Sequence, residues 1–244
     1  MRTHGHIPAL TCLSALTFLP LVGCSTPRTG ESVTAAPRDA APSDVSLVAS
    51  TTDPTDNPKQ AAWKAATRGL HFDTGRLVVD PQGPPDADAA FRHYRDGRRF
   101  FAENRFVDAI GAYRDALSRW FDSPETIEAL GDACHMKGET GWAIACYRTL
   151  LDDEPTRADV RFKLATMLWA DSQSNDAVAE MTRVTELDPA RADAHERLAI
   201  WHYYLDDPAT AWRHVHAARA AGGDVPPQFI PLLSTRMADP GAGR

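Results

Sequence analysis

The side chains best able to do chemistry are scattered along this chain rather than gathered into a reactive constellation. His195-Glu196 is followed by His202 and not by a histidine three residues after the glutamate. That spacing cannot give the two imidazoles and general base that a zinc-protease helix offers to one metal ion. On a helix, His214-x-His216 would send its two rings in different directions. No serine elbow and no phosphate-cradling glycine loop is present. His195 and His202 therefore read as packed, hydrogen-bonded residues, no metal is expected, and no catalytic residue can be assigned. Cys134 and Cys146 stand 12 positions apart. Bridging them requires Cα atoms within about 7 Å, which spacing alone does not decide. Arg92, Arg95 and Arg99 fall on one helical face with Arg98 beside them. Such a face could meet an acidic partner, lipid headgroups or a cell-wall carboxylate, or simply stay solvated.

The elements that position these residues belong to a chain of 244 residues with 26 Lys+Arg against 33 Asp+Glu, a formal charge of −7. An acidic balance argues against general nucleic-acid binding, which draws on a basic surface to displace counterions from phosphate. Hydrophobic residues make up 43%, enough for a sizeable core. Ile7 to Val22 are almost wholly apolar or small and follow a start with one arginine and two histidines. That run is too short for a stable membrane span and has the layout of a secretory signal.

The apolar run ends in Leu21-Val22-Gly23-Cys24, which resembles the lipobox of bacterial lipoproteins. The resemblance implies a signal peptide over 1–23 and a new N-terminus at Cys24 carrying the lipid, with no other cofactor. By the same resemblance, Ser25 after the cysteine implies the outer membrane, with the protein on its periplasmic face. Several acyl chains at about 0.8 kcal/mol per buried methylene would hold it there. Residues 24–58 are Thr, Ser, Ala, Pro and Asp with almost no large apolar side chain. They are expected to form a disordered tether with a reach on the order of 30 Å. Within 59–89, Lys59 to Gly69 reads as a short helix stopped by glycine, and Arg76 to Asp80 as a short strand or extended chain.

The rest is periodic. Ala109, Ala143, Ala177 and Ala211 lie 34 residues apart. Four positions after each comes Tyr113, Tyr147, Met181 or Val215, and twelve before each comes Gly97, Gly131, Ala165 or Ala199. The second copy reads Ile127-x2-Leu130-Gly131-x2-Cys134, then Ala143-x3-Tyr147, then Pro155. This pattern resembles the tetratricopeptide repeat, in four units over 90–123, 124–157, 158–191 and 192–225. Unit one departs from it with Asp96 at the usual leucine position and Phe121 in place of the proline. The resemblance implies an all-α fold, a right-handed superhelical solenoid of helix–turn–helix units. A short helix within 226–237 is expected to cap the last unit, and 238–244 to form a disordered tail. Ser123-Pro124-Glu125 supplies an N-cap, a first-turn proline and an early negative charge, and Thr156-x-x-Asp159 resembles a capping box.

In the family, the first helices of successive repeats line a concave groove. Carried over by position, the groove here comprises Phe91, Tyr94, Arg98 and Phe101, then Glu125, Glu128, Asp132 and His135, then Asp159, Phe162 and Trp169, then Glu196, Tyr203 and Tyr204. Exposed aromatics beside carboxylates would suit an extended peptide with apolar and basic side chains. Alternatively, some of these rings seal neighbouring helices. The groove lacks the lysines and asparagines with which family members clamp a C-terminal carboxylate: Tyr94, Glu128, Phe162 and Glu196 stand where a clamp lysine could begin.

Two functions follow as expectations. The first is a non-enzymatic adaptor or scaffold, anchored by lipid to the outer membrane, that holds a protein partner or extended peptide in the groove and serves assembly of an envelope machine such as a pilus or secretion system. The alternative is a cell-wall-associated enzyme or enzyme accessory that binds peptidoglycan, its site formed by the Arg-rich first unit and Lys59 to Pro85.

Overall fold

A computed structural model describes residues 57–241; the lipobox, Cys24 and most of the stretch that follows it lie outside the described residues. Among those described, the elements run α1 (Pro58–Ala66), β1 (Leu70–Asp73), β2 (Arg76–Val79), α2 (Ala87–Ala102), α3 (Phe106–Arg119), α4 (Pro124–Lys137), α5 (Thr140–Asp153), α6 (Ala158–Ala170), α7 (Ser174–Leu187), α8 (Ala192–Tyr204), α9 (Pro208–Ala220) and α10 (Phe229–Arg236). The eight helices α2 to α9 form four helical hairpins stacked in sequence, each pair packed together and each second helix against the next first helix. The all-α repeat solenoid expected from the 34-residue period is the architecture found.

The periodic residues explain the packing. Ala109, Ala143, Ala177 and Ala211 are fully buried where backbones approach closely. Facing them across each hairpin, the small residues of the first helix admit the larger residues of the second. A Cβ on Gly97 would meet Tyr113 Cε1 at 2.5 Å, and one on Gly131 would meet Tyr147 Cε1 at 2.8 Å. Where the partner is Met181 or Val215, the position holds Ala165 or Ala199. Residue size at the crossing is thus matched pair by pair, as dense core packing requires.

Helix ends follow local chemistry, with one correction. Ser123 caps α4, its Oγ accepting from the Thr126 amide at 3.4 Å, with Pro124 in the first turn, and Gly138 ends the helix in the left-handed region at φ 86°. The capping box expected at Thr156 does not form: Arg157 is the N-cap of α6 and makes no side-chain cap bond. Asp159 instead accepts from the Arg157 guanidinium at 2.7 Å.

The N-terminal segment is a helix and a β-hairpin. Asn57 caps α1. β1 and β2 pair antiparallel, Leu70 opposite Val79 and Asp73 opposite Arg76, through a turn whose Thr74 and Gly75 have φ of 52° and 80°. Two consecutive positive φ values are what a two-residue hairpin turn needs. The segment lies on the second helices, α1 against α3 and β2 against α3 and α5. Leu77 is buried, its amide donates to Thr149 Oγ1 at 2.9 Å, and Arg76 pairs with Asp152 at 2.7 Å. Phe72 and Trp63 pack on Trp142 at ring separations of 4.1 and 6.4 Å. At the other end, α10 inserts Phe229 and Leu233 beside Trp212 and Val215, and the Trp212 indole donates to the Met237 carbonyl at 2.9 Å. Among the described residues no helix is long and apolar enough to cross a membrane.

Candidate functional site: the first-helix face

With α1 and the hairpin on the second-helix layer, the layer they leave uncovered is that of α2, α4, α6 and α8. It divides into three zones. At its centre, the carboxylates expected to greet a basic ligand already have partners. Lys163 Nζ donates to Glu128 Oε1 and to both Asp132 oxygens, each at 2.8 Å. Arg157 donates to Glu128 Oε2 at 2.8 Å, and the Tyr147 hydroxyl donates to Asp132 Oδ1 at 2.8 Å. Burial by itself pushes the Glu128 carboxyl upward, but the bonds from Lys163 and Arg157 outweigh it and hold the carboxyl below its ordinary range. Burial likewise lowers Lys163, and Asp132 and Glu128 more than restore it, so its ammonium is held above the usual lysine value. The central patch is a closed ion-pair network that ties unit three to unit two.

The aromatic rings of units three and four are engaged as well. Trp169 stacks on Trp201 with centroids 4.7 Å apart and planes 6° from parallel. The Arg191 guanidinium lies 4.3 Å over Phe162. Tyr203 packs edge-on against Phe229 at 5.5 Å, beneath Arg236, which in turn pairs with Asp206. These three half-buried rings pack against neighbouring residues, in keeping with the alternative that some rings seal helices, and Tyr204, 71% exposed, is open at this end. Glu196 is half-buried near Gly223.

Unit one presents the open zone. Phe91 is 60% exposed, and Tyr94 is half-buried against Tyr113 with centroids 5.9 Å apart. Phe101 packs edge-on against Phe106 at 5.5 Å. Arg98 is exposed, as are Glu125 and His135 on α4. Arg99 pairs with Asp96 at 3.2 Å, at the position where the repeat prefers leucine. Of the unit-one arginines, Arg114 lines the cleft of about 410 Å³ between α1, α2 and α3, beside His93, Asp96 and Phe100, and donates to the Ala65 carbonyl at 2.6 Å, whereas Arg92, Arg95, Arg98 and Arg99 do not line it.

Sequence reasoning missed Lys163 and Arg157, although the repeat period carried a signal: Lys163 lies 35 positions after Glu128, one past a full repeat. It also missed Trp120 and Phe121, 43% and 42% exposed in the α3–α4 connection. The histidines behave as packed residues, with His214 added to the pair. His195 Nδ1 lies 3.1 Å from His214 Nδ1 and its Nε2 3.2 Å from the Pro189 carbonyl, while the His202 and His214 rings stack at 5.6 Å. Burial, and then the neighbouring His195 and His202, push His214 down to about 4. Cys134 and Cys146 are free thiols, both buried, and burial raises both well above the ordinary thiol value. Among the described residues no group of three or more His, Cys, Asp or Glu is placed to hold a metal.

Comparison with known proteins agrees with this architecture. No family model matches the chain. Over 100 residues it is 31% identical to the TPR repeat-containing thioredoxin TTL4 of Arabidopsis thaliana, a match covering 41% of this chain and 14% of that protein's length. Among solved structures, MamA superposes with a TM-score of 0.56 at 18% identity, covering 62% of this chain and 84% of MamA. YrrB, a TPR protein with an unusual peptide-binding site, superposes with a TM-score of 0.54 at 18% identity, covering 62% of this chain and 77% of YrrB. At such identities these likenesses concern the fold alone, and the fold is that of a tetratricopeptide-repeat solenoid.

Proposed function

We propose that this chain is a non-enzymatic adaptor that holds a protein partner or an extended peptide on the face formed by α2, α4, α6 and α8. One observation carries the reading. α1 and the hairpin occupy the second-helix layer, while the first-helix layer keeps side chains open to solvent, among them Phe91, Arg98, His135 and Tyr204. YrrB, of like fold, is a TPR protein with a peptide-binding site, which supports the use of such a scaffold for peptide capture. In this proposal Cys24 carries the lipid, the protein sits on the periplasmic face of the outer membrane, and the tether lets the solenoid serve an envelope assembly.

Crosslinking in cells followed by purification tests the adaptor reading. The intact chain should capture a defined partner that a Phe91→Ala/Tyr204→Ala variant releases, while helix content and melting stay unchanged because both rings are exposed. Capture indifferent to both substitutions refutes a role for this face. The anchor is tested separately: Cys24→Ala should abolish palmitate labelling and move the protein out of the outer-membrane fraction, and unchanged labelling refutes it.

A further inference from the structure

Unit one keeps an aromatic cavity open on the first-helix face. It lies between α2, α4 and the α3–α4 connection, has a volume of about 330 Å³, and takes Phe91, Tyr94 and Trp120 into its lining. This volume is at the lower end of small-molecule sites and accommodates the end of one long side chain. Two of the rings are held in place. Tyr94 packs on Tyr113 with centroids 5.9 Å apart, and the Trp120 indole nitrogen donates to the Asp122 carbonyl at 2.9 Å. Phe91 and Trp120 nevertheless remain exposed, so a ligand can reach the cavity.

The polar groups of the lining narrow the ligand further. The Ser123 and Thr126 hydroxyls bond to each other at 2.7 Å, and Ser123 Oγ also accepts from the Thr126 amide, so both serve the cap of α4. Glu125 is the charged residue of the lining. It is exposed, and its carboxylate has no hydrogen-bond or ion-pair partner among the described residues. Outside the lining the charges balance. Asp86 caps α2 by accepting from the Ala89 amide at 2.9 Å, Arg119 Nη1 lies 3.0 Å from where a Cβ on Gly83 would stand, and Asp96 holds Arg99. That leaves Arg92, Arg95 and Arg98 against Asp88 and Asp122, and Glu125 evens the count. The wider field therefore selects neither sign, and selection falls to the groups a ligand touches. Those are three rings, whose faces are electrostatically negative, and one carboxylate; both attract a cation and repel an anion.

We propose that this cavity receives a cationic side chain of the partner peptide, lysine or arginine, set among Phe91, Tyr94 and Trp120 and paired with Glu125. This rests on the adaptor reading and names the ligand class of its first unit. Lysine and arginine suit such a site because their apolar stems cover ring surface while the charged head reaches a carboxylate at the rim. A cation within about 6 Å of a ring centroid gains from the ring as well as from the ion pair.

The test uses the full chain with nitrogen-15-labelled tryptophan and short glycine peptides, blocked at both ends, that carry a central Lys, Arg, norleucine or Glu. The Trp120 indole NMR signal, recognised by its loss in Trp120→Phe, reports occupancy. The Lys and Arg peptides should shift it saturably and bind about fivefold more tightly than the norleucine peptide, and the Glu peptide should leave it unmoved. Phe91→Ala should weaken Lys binding about fivefold, and Glu125→Gln should erase most of the advantage of Lys over norleucine. Both residues are exposed, so helix content and melting should stay unchanged. Norleucine binding as tightly as lysine would make the cavity a plain apolar anchor site, and tighter Glu binding would give selection to the arginines of α2; either result overturns the inference. Lys binding indifferent to both variants, or no shift with any peptide, overturns it too. A crosslinked partner still captured in cells would then leave the adaptor reading standing, whereas absence of any captured partner would take that reading with it.

Discussion

Replacing Gly97 with alanine probes the size matching that sets the helix crossings. A Cβ at this position would lie 2.5 Å from Tyr113 Cε1 and 2.6 Å from Cδ1, while carbon atoms pack best at about 3.5–4.0 Å. The tyrosine ring must therefore retreat by roughly 1 Å. It is 2% exposed and enclosed between α2 and α3, so the strain falls toward the upper end of the 1–3 kcal/mol typical of overpacking. Alanine recovers about 1 kcal/mol of helix propensity over glycine, which leaves a net loss of about 2 kcal/mol. Changing Tyr113 to Met in the same background recreates the Ala165–Met181 pair of unit three and should recover at least about 1 kcal/mol as a coupling energy. Urea unfolding followed by circular dichroism on the two single variants and the double variant, with a common denaturant slope, measures it. If Gly97→Ala is neutral or stabilising, or if Tyr113→Met gives it no relief, the size-matching argument is wrong.

Three further outcomes follow from the same structure. Lys163→Met leaves Glu128 and Asp132 facing each other without their shared cation, and should cost about 1–2 kcal/mol at low salt, shrinking as salt is raised; an effect independent of salt would contradict the network. His214 is held at about 4, mainly by burial, below its value of about 6.5 in an unfolded chain. Its contribution is therefore complete above pH 6.5 and is lost as pH falls toward 4, with His195, His202 and Arg213 opposing the charge and Asp207 favouring it. A His214→Asn variant should flatten the melting temperature against pH over that window, and an unchanged slope counts against this assignment. Leu233, the fully buried residue of α10 beside Trp212, should cost about 2–4 kcal/mol when changed to alanine and should expose Trp212 to solvent, read as a red shift in its fluorescence; unaltered stability would mean that α10 does not close the solenoid.

The repeats were legible because one physical demand recurs every 34 residues: a backbone crossing that needs a small residue and a larger one sixteen positions later, as Gly131 and Tyr147 or Ala165 and Met181 supply. The hairpin before them was half-legible. Arg76 to Val79 shows as an extended run, but β1 contains only Leu70 and Phe72 as apolar residues, and its partner is fixed by Trp142 and Thr149, some 70 positions away. The Asp73-Thr74-Gly75-Arg76 turn was the local clue. On the first-helix face, sequence placed residues by position but not by partner. Nothing local marks Trp169 as stacked on Trp201 or Phe162 as covered by Arg191, because those contacts depend on how one unit leans on the next.

Charge shows most clearly why position is not enough. By composition, residues 90–123 hold seven bases and five acids, and 124–157 three bases and seven acids, so the face of units one and two would be expected to run from mildly basic to strongly acidic. In the folded chain Arg157 and Lys163 reach Glu128 across 29 and 35 residues, and the acids nearest the centre of that face are no longer available to a ligand. An ion pair between half-exposed groups contributes modestly to stability, yet it cancels the field a partner would meet. The same pairing spares Arg92, Arg95 and Arg98, whose neighbour Asp96 turns to Arg99 instead. What this face offers a partner is therefore set by which charges the fold leaves unpaired, and around α2 those are Arg92, Arg95 and Arg98 together with Asp88, Asp122 and Glu125. If Lys163→Met, which leaves Asp132 without a cation while Arg157 still holds Glu128, changes which crosslinked partner the chain captures, the selectivity of the face resides in that pairing; unchanged capture would remove this charge from recognition.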